Sequence, residues 1–277
     1  MRFSSTILVA ARLCACVWVF AGCSGFGKDP VLELSSEEAL REGKLLLEAE
    51  KYREARPFLI HAFEIRPNSV EGREGLLLTA DALFEQGGYT NYVKAQGRYR
   101  DFLNRFPTSE HAAYAQYRVA MSMARRMERP DRDMSLSVDA LDALEDVRRI
   151  YPTSEYSDLA AEEIIAVRNH LARHELIVGR FYKRYRRFGT TLAAIHRLEG
   201  IIEEYPDFPE MDTVYFDLCR IYNTAEDVEN RNKAADYCNR LKQEYPESAY
   251  IKKIPKGVGS YVEVEAPAAT DPADDGV

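Results

Sequence analysis

Residues 55–67 of this 277-residue chain read ARPFLIHAFEIRP. Ala55, Leu59 and Ala62 stand at positions 0, +4 and +7, a spacing that places three small or apolar side chains on one stripe of an α-helix. Pro67 follows five residues later. Proline ends a helix because it lacks an N–H donor and disfavours the helical conformation in the residue before it. The stretch therefore predicts an amphipathic helix that ends just before its proline.

The same pattern of a small residue, two apolar residues and a proline recurs in four more places along the chain. The spacing is identical in each copy, so each predicts the second helix of a pair. The four copies are Ala95, Tyr99, Phe102 and Pro107; Ala140, Leu144, Val147 and Pro152; Ala194, Leu198, Ile201 and Pro206; and Ala234, Cys238, Leu241 and Pro246.

Five copies in register are the signature of tetratricopeptide repeats, in which paired helices stack on their neighbours. The chain is thus predicted to be all-α, a solenoid of five helix pairs with a disordered acidic tail. Serines two residues after three of the prolines (Ser69, Ser109 and Ser154) are positioned to cap the following helices. The predicted repeats cover approximately residues 35–68, 69–108, 109–153, 154–207 and 208–252, and the predicted tail covers 253–277.

A stack of such repeats forms an extended concave surface for another polypeptide. Repeat register places six side chains of the first three repeats in this predicted groove. The alternative for each of them is a solvated face without a partner. The candidates are Lys44, Leu47, Glu74, Leu78, Tyr114 and Arg118.

The amino-terminal segment is typical of a secretory signal. Arg2 and Arg12 supply the charged start, and residues 13–21 supply an apolar core that is too short to span about 30 Å of hydrocarbon. Small residues then precede Cys23. This ending resembles the bacterial lipobox, although Phe20 stands where the lipobox usually has leucine.

Cys23 is therefore the predicted lipidation site, and the signal peptide is predicted to end at residue 22. Residues 23–34 would form the tether between the lipid anchor and the repeats. Serine at position 24 favours sorting to the outer membrane, with the repeats facing the periplasm. The alternative is an exported protein that has a cysteine near its cleavage site by chance.

The charge of the chain argues against a nucleic-acid partner. The formal net charge is −8, and it becomes −10 when Arg2 and Arg12 are removed with the leader. An acidic chain has no electrostatic reason to bind a polyanion.

Residues 266–277 are rich in alanine, proline and acid, a composition that cannot bury enough apolar surface to fold.

Cys219 and Cys238 remain as a possible pair after the leader and Cys23 are set aside. They lie on the two predicted helices of the fifth repeat, nearly equidistant from the turn between them. One hypothesis is a structural disulfide, which an exported compartment permits. The other is two buried free thiols, since cysteine also packs as a small hydrophobe.

The sequence contains no catalytic constellation. Phosphate-binding glycine loops, nucleophile elbows and Cys-x-x-Cys pairs are absent from it. His170 and His174 are four residues apart and are followed by Glu175, but this order differs from the zinc-protease motif and no third ligand is indicated. We therefore predict no enzymatic activity, no cofactor and no metal site.

Three stretches resemble the BamD family of lipoproteins of the outer-membrane β-barrel assembly machinery. They read LEDVRRIYPTSEY at residues 144–156, LARHELIVGRFY at 171–182 and LAAIHRLEGIIEEYP at 192–206. With the lipobox and the five repeats, the resemblance extends over roughly residues 20–252.

The resemblance implies a non-catalytic scaffold on the inner leaflet of the outer membrane. Its fourth and fifth repeats would dock on the POTRA region of the barrel subunit BamA, with other assembly subunits nearby. Its amino-terminal repeats would receive unfolded β-barrel substrates. Arg197 lies in HRLEG at residues 196–200, which matches a similar family segment, and is a further candidate for partner binding.

Two other classes of protein are compatible with the same residues. One is a different periplasmic tetratricopeptide lipoprotein, such as a secretin or pilus pilotin or a coordinator of cell-wall synthesis. The other is an enzyme appended to repeats, for which the histidine pair is the only sequence feature. Loss of barrel proteins from the outer membrane on depletion is predicted by the BamD-like hypothesis alone.

Overall fold

The computed structural model describes residues 30–185, 188–224 and 228–258. The chain divides into two compact units, residues 1–98 and 99–277. The predicted leader and Cys23 lie outside the described residues, as does the tail from residue 259 onward. The described residues contain ten α-helices: α1 Ser36–Glu48, α2 Tyr52–Ile65, α3 Val70–Gln86, α4 Tyr89–Arg105, α5 Ala112–Ala124, α6 Ser135–Ile150, α7 Glu155–Tyr185, α8 Phe188–Glu204, α9 Met211–Tyr222 and α10 Val228–Glu244.

The ten helices confirm the prediction of an all-α tetratricopeptide fold with five helix pairs. In every pair the three stripe positions of the second helix are buried, with at most 1% of each side chain exposed. Each of these second helices also ends two residues before its proline. This regularity follows from the steric conflict between proline and a helical residue directly before it.

The first unit contains α1 to α3 and the start of α4. Its core cluster includes Ala39 and Leu40 of α1, together with Ala55, Leu59 and Ala62 of α2. Ser35 begins α1 with a capping box, in which its side chain accepts from the Glu38 N–H and the Glu38 carboxylate accepts from the Ser35 N–H. Ser69 caps α3 by accepting from the Gly72 N–H at 3.0 Å.

The second unit contains the end of α4 and α5 to α10. Each helix from α5 onward contacts the next one along the chain. A continuous core cluster joins α7 to α10 and includes Leu176, Leu198, Leu218 and Leu241. The Ser154 hydroxyl accepts from the Tyr156 N–H at 3.3 Å, directly before the 31-residue helix α7.

Two local expectations differ from the structure. Residues 30–33, counted above with the tether, form a 3-10 helix that contacts α2. At the other end Ile254 and Val258, counted with the tail, pack on the core of the second unit. At the carboxyl end the chain thus continues to bury apolar side chains beyond the limit that composition suggested.

Close helix packing in the first unit depends on Gly75, which is buried in α3. A Cβ atom at this position would lie 2.7 Å from the Leu59 carbonyl oxygen and 3.2 Å from the Ala62 Cβ atom. Gly75→Ala should therefore destabilise the protein by about 1–3 kcal/mol, the usual cost of overpacking. Gly97→Ala is the matched control, because nothing lies within 4 Å of a Cβ atom there. It should stabilise α4 by about 0.5–1 kcal/mol. Equal shifts of the two urea midpoints would contradict this account of the interface.

Candidate partner-binding site

Four of the predicted groove residues lie together in the first unit. Lys44 of α1 and Glu74 of α3 form an ion pair, with Nζ 2.6 Å from Oε1. Leu47 and Leu78 are partly buried and pack against the core cluster of this unit. Because Lys44 is already paired with Glu74, the ion pair carries no net charge. A partner would therefore contact the half-buried leucines beside this ion pair.

The other two groove residues, Tyr114 and Arg118 of α5, lie in the second unit. The Arg118 Nε donates to the Tyr99 hydroxyl at 3.1 Å, and the guanidinium lies 5.6 Å from the centre of the Tyr114 ring. Tyr156 of α7 makes an edge contact with Tyr114, with ring centres 5.4 Å apart. The result is a half-buried aromatic patch that contains one guanidinium.

Tyr117 and Tyr156 also belong to this patch, although no sequence motif marks them as candidates. Their rings lie 5.8 Å apart. Burial raises the pKa of Tyr117, and the charge of Glu163 adds to this effect. The signal in the sequence is the pair Tyr114 and Tyr117, one helical turn apart on α5.

Arg197 of α8 is held against α7. Its Nη1 atom donates to both carboxylate oxygens of Glu175, at 2.8 and 2.7 Å. This hydrogen bond and the Glu175 charge raise the pKa of Arg197. Both side chains remain partly exposed. A partner that contacts Arg197 therefore meets a positioned ion pair.

His170 and His174 do not form a ligand set. His174 Nδ1 lies 2.7 Å from the Pro130 carbonyl oxygen, and His170 Nε2 is buried without a hydrogen-bond partner. Burial lowers the pKa of His170, and the charge of Arg173 lowers it further. Within residues 30–185, 188–224 and 228–258, no three His, Cys, Asp or Glu side chains are grouped to hold a metal ion.

A basic cavity of about 530 Å³ opens in the second unit. Its walls come from the end of α7, the start of α8 and the end of α9. Arg180, Lys183, Arg184 and Arg220 line it, and Asp217 is its one carboxylate. Four cations against one anion make the cavity positive in an otherwise acidic chain.

Asp217 is buried and holds two of these cations. Its Oδ2 atom accepts from Arg180 Nε at 2.6 Å, and its Oδ1 atom accepts from Lys183 Nζ at 2.6 Å. Burial lowers the pKa of Lys183, Asp217 opposes this effect, and the nearby charges of Arg220 and Arg180 add to it. The signal in the sequence is a lone acid in the apolar run VYFDLC, residues 214–219.

Apolar side chains are exposed on two of the helices that form the cavity, α7 and α8. Ile177 and Phe181 of α7 are 38% and 55% exposed, and Leu192 of α8 is 52% exposed. Ile177 and Phe181 are four residues apart and therefore lie on the same face of α7. Exposed large apolar residues that lie side by side are typical of interaction surfaces. We call Ile177, Phe181 and Leu192 the α7–α8 apolar surface.

Tyrosines connect the fourth and fifth repeats. The hydroxyls of Tyr222 and Tyr237 donate to the same Oε1 atom of Glu199, at 2.7 and 2.9 Å. Burial raises the pKa of both tyrosines, and the hydrogen bond to Glu199 raises it further. Burial also raises the pKa of the neighbouring Tyr215 to about 12.

These pKa shifts predict a loss of stability at alkaline pH. The folded protein keeps the Tyr222 and Tyr237 protons that the unfolded chain releases near pH 10, so their stabilisation is complete below pH 10 and declines above it. Thermal unfolding at pH 8 and pH 10.5 measures this decline. The variant Tyr222→Phe with Tyr237→Phe should lose less stability over this interval than the native chain does. An equal loss in both proteins would contradict the assignment.

Cys219 and Cys238 are joined by a disulfide in the structure, with Cα atoms 5.3 Å apart. The bond connects α9 to α10 within the fifth repeat. Both residues are buried, with at most 1% exposed.

None of the described helices combines the length and the hydropathy needed to cross a membrane.

Comparison with known proteins assigns the chain to a family. The family model described as "YfiO: Outer membrane lipoprotein" matches residues 33–224. Among curated proteins, the outer membrane protein assembly factor BamD of Caulobacter vibrioides is 30% identical over 223 residues, which cover 79% of this chain and 69% of that protein. The BamD of Rickettsia prowazekii is 27% identical over 246 residues, which cover 88% and 93% of the two chains.

Among solved structures, the TPR2AB domain of yeast Sti1 in its complex with pHSP90 is matched. It has a TM-score of 0.42 and 15% identity, and the match covers 79% of this chain and 81% of that one. The family model covers more than half of the chain, and its relatives align over most of their own length. The chain therefore belongs to the YfiO family of outer membrane lipoproteins.

Proposed function

We propose that this chain is a non-catalytic, lipid-anchored scaffold of the outer-membrane β-barrel assembly complex. The observation that carries the proposal is its alignment with curated proteins named outer membrane protein assembly factor BamD. The scaffold would be anchored through acylated Cys23 and would face the periplasm. Its partners would be a BamA-like barrel protein, other assembly subunits and unfolded β-barrel substrates.

The fourth and fifth repeats are the proposed docking site for the POTRA region of the BamA-like subunit. The α7–α8 apolar surface supports this assignment, because hydrophobic anchors at the centre of an interface supply most of its binding energy. Arg197 and Glu175 would add a positioned ion pair on the same two helices. Arg197 would thus contact the BamA-like subunit directly.

The amino-terminal repeats are the proposed site for unfolded barrel substrates. Two surfaces support it, one in each unit. The first contains Leu47 and Leu78 beside the Lys44–Glu74 ion pair. The second is the aromatic patch around Arg118. Half-buried aromatic rings and leucines suit the alternating apolar side chains of a β-strand that has not yet inserted into the membrane.

Co-purification from detergent-solubilised outer membranes tests the docking proposal. The native protein should recover a large barrel protein with POTRA domains. Ile177→Ser with Phe181→Ser should lower the recovered amount at least tenfold, which corresponds to about 1.4 kcal/mol of binding free energy. Neither substitution affects a buried side chain, so the variant is expected to fold.

The matched control is Val138→Ser with Ile150→Ser, which changes two apolar residues of α6 that are 46% and 47% exposed. This control should recover the barrel protein as well as the native chain does. An equal loss in both variants would contradict docking through α7. Recovery of a secretin in place of the barrel protein would contradict the assembly role itself.

A further inference from the structure

Two cations of the basic cavity have no carboxylate to neutralise them. Asp217 pairs with Arg180 and Lys183, whereas Arg184 and Arg220 are exposed and form no ion pair within the part of the chain that the structure describes. Such a site favours an anionic occupant with more than one charge, because charge-assisted hydrogen bonds to arginine are the strong ones.

The end of the described chain runs along the rim of this cavity. Pro255 is one of its lining residues. Tyr250 stacks on Phe216 of α9 with ring centres 4.7 Å apart, and Ile254 and Val258 pack on the core of the unit. The backbone is therefore fixed beside the cavity up to Val258.

The sequence that follows Val258 has the complementary charge. Residues 259–277 contain five acids and no lysine or arginine. Glu263 is five residues beyond Val258 and Asp275 is seventeen residues beyond it. At about 3.3–3.6 Å per extended residue, Glu263 can lie up to about 17 Å from Val258 and Asp275 up to about 60 Å from it. Chain length therefore allows every acid of the segment to approach the cavity.

We infer that residues 263–275 of this chain bind in the basic cavity, with their carboxylates on Arg184 and Arg220. The covalent connection strengthens the interaction, because a segment tethered a few residues from its site is present at a high effective concentration. The protein thus supplies its own anion to a cavity that an acidic segment of another protein would otherwise be free to occupy. This inference does not depend on the assembly role.

A distance measurement on the full-length protein in detergent tests the inference. Spin labels are placed at Ala273→Cys in the acidic segment and at His196→Cys, an exposed position of α8 that does not line the cavity. Pulsed electron resonance should detect a short-distance population. Raising the salt concentration from 0.1 to 1 M, which shortens the Debye length from about 10 to about 3 Å, should remove it.

Two charge variants locate the contact. Arg184→Gln with Arg220→Gln should abolish the short-distance population, because it removes the unpaired cations. Arg148→Gln with Lys242→Gln is the control, since it removes two exposed cations elsewhere in the same unit and should leave the population unchanged. Circular dichroism verifies that both variants remain folded.

Two results would overturn the inference. One is a broad distance distribution in the native protein, as expected if inorganic phosphate or a partner occupies the cavity. The other is a short-distance population that survives the loss of Arg184 and Arg220.

Discussion

Asp217→Asn is expected to lower the free energy of unfolding by about 2–3 kcal/mol. The substitution keeps the shape of the side chain and removes its charge, which leaves the partly exposed Arg180 and Lys183 facing each other without the buried carboxylate between them. Removing one partner of a fully buried ion pair costs about 3–5 kcal/mol. The expected value is lower because the Arg180 side chain is 42% exposed and can turn toward water.

Urea unfolding followed by circular dichroism measures this effect, with Asp236→Asn as the control. Asp236 is exposed on α10, and its substitution should change the free energy of unfolding by less than about 0.5 kcal/mol. A double-mutant cycle with Lys183→Gln should give a coupling free energy above about 0.5 kcal/mol, because the two side chains are in contact. Equal free energies of unfolding for the Asp217→Asn and Asp236→Asn variants would contradict the pairing.

Loss of the disulfide is expected to lower the free energy of unfolding by about 3 kcal/mol, the value for a closed loop of this size. The bond closes a segment with a sequence separation of 19 residues and constrains the unfolded chain. Cys219→Ala with Cys238→Ala is the preferred variant, because serine would place hydroxyl groups among buried apolar side chains.

Treating the native protein with a reductant breaks the same bond that the double alanine variant lacks. It should lower the urea midpoint of the native protein to near that of the double alanine variant and should leave the variant unchanged. The mass of the native protein should also be lower by two hydrogen atoms without reduction than with it. A native protein that reductant leaves unchanged would instead support the hypothesis of two buried thiols.

The repeat pattern was predictable because it is local. The stripe of Ala55, Leu59 and Ala62 and the stop at Pro67 depend only on helical periodicity and on the backbone of proline. All five copies of this stripe are buried in the structure. The carboxyl-terminal boundary was less predictable, because it depends on Val258, whose binding surface is the core of the second unit.

The contacts of the candidate sites were less predictable because they join residues that are distant in sequence. Asp217 meets Arg180 and Lys183 across 37 and 34 residues, and Arg197 meets Glu175 across 22. These separations depend on where each hairpin turns and on the rotation of each helix. Repeat register could place Tyr114 and Arg118 on one face of α5, but it could not bring the Tyr156 ring to them.

The central claim is that this lipoprotein serves the assembly of outer-membrane β-barrels. Depleting the protein from growing cells, and measuring the outer-membrane proteome by mass spectrometry during depletion, tests this claim most directly. We expect β-barrel proteins to decline while other outer-membrane lipoproteins persist. Barrel proteins that remain at their initial level after the protein has disappeared would contradict the claim.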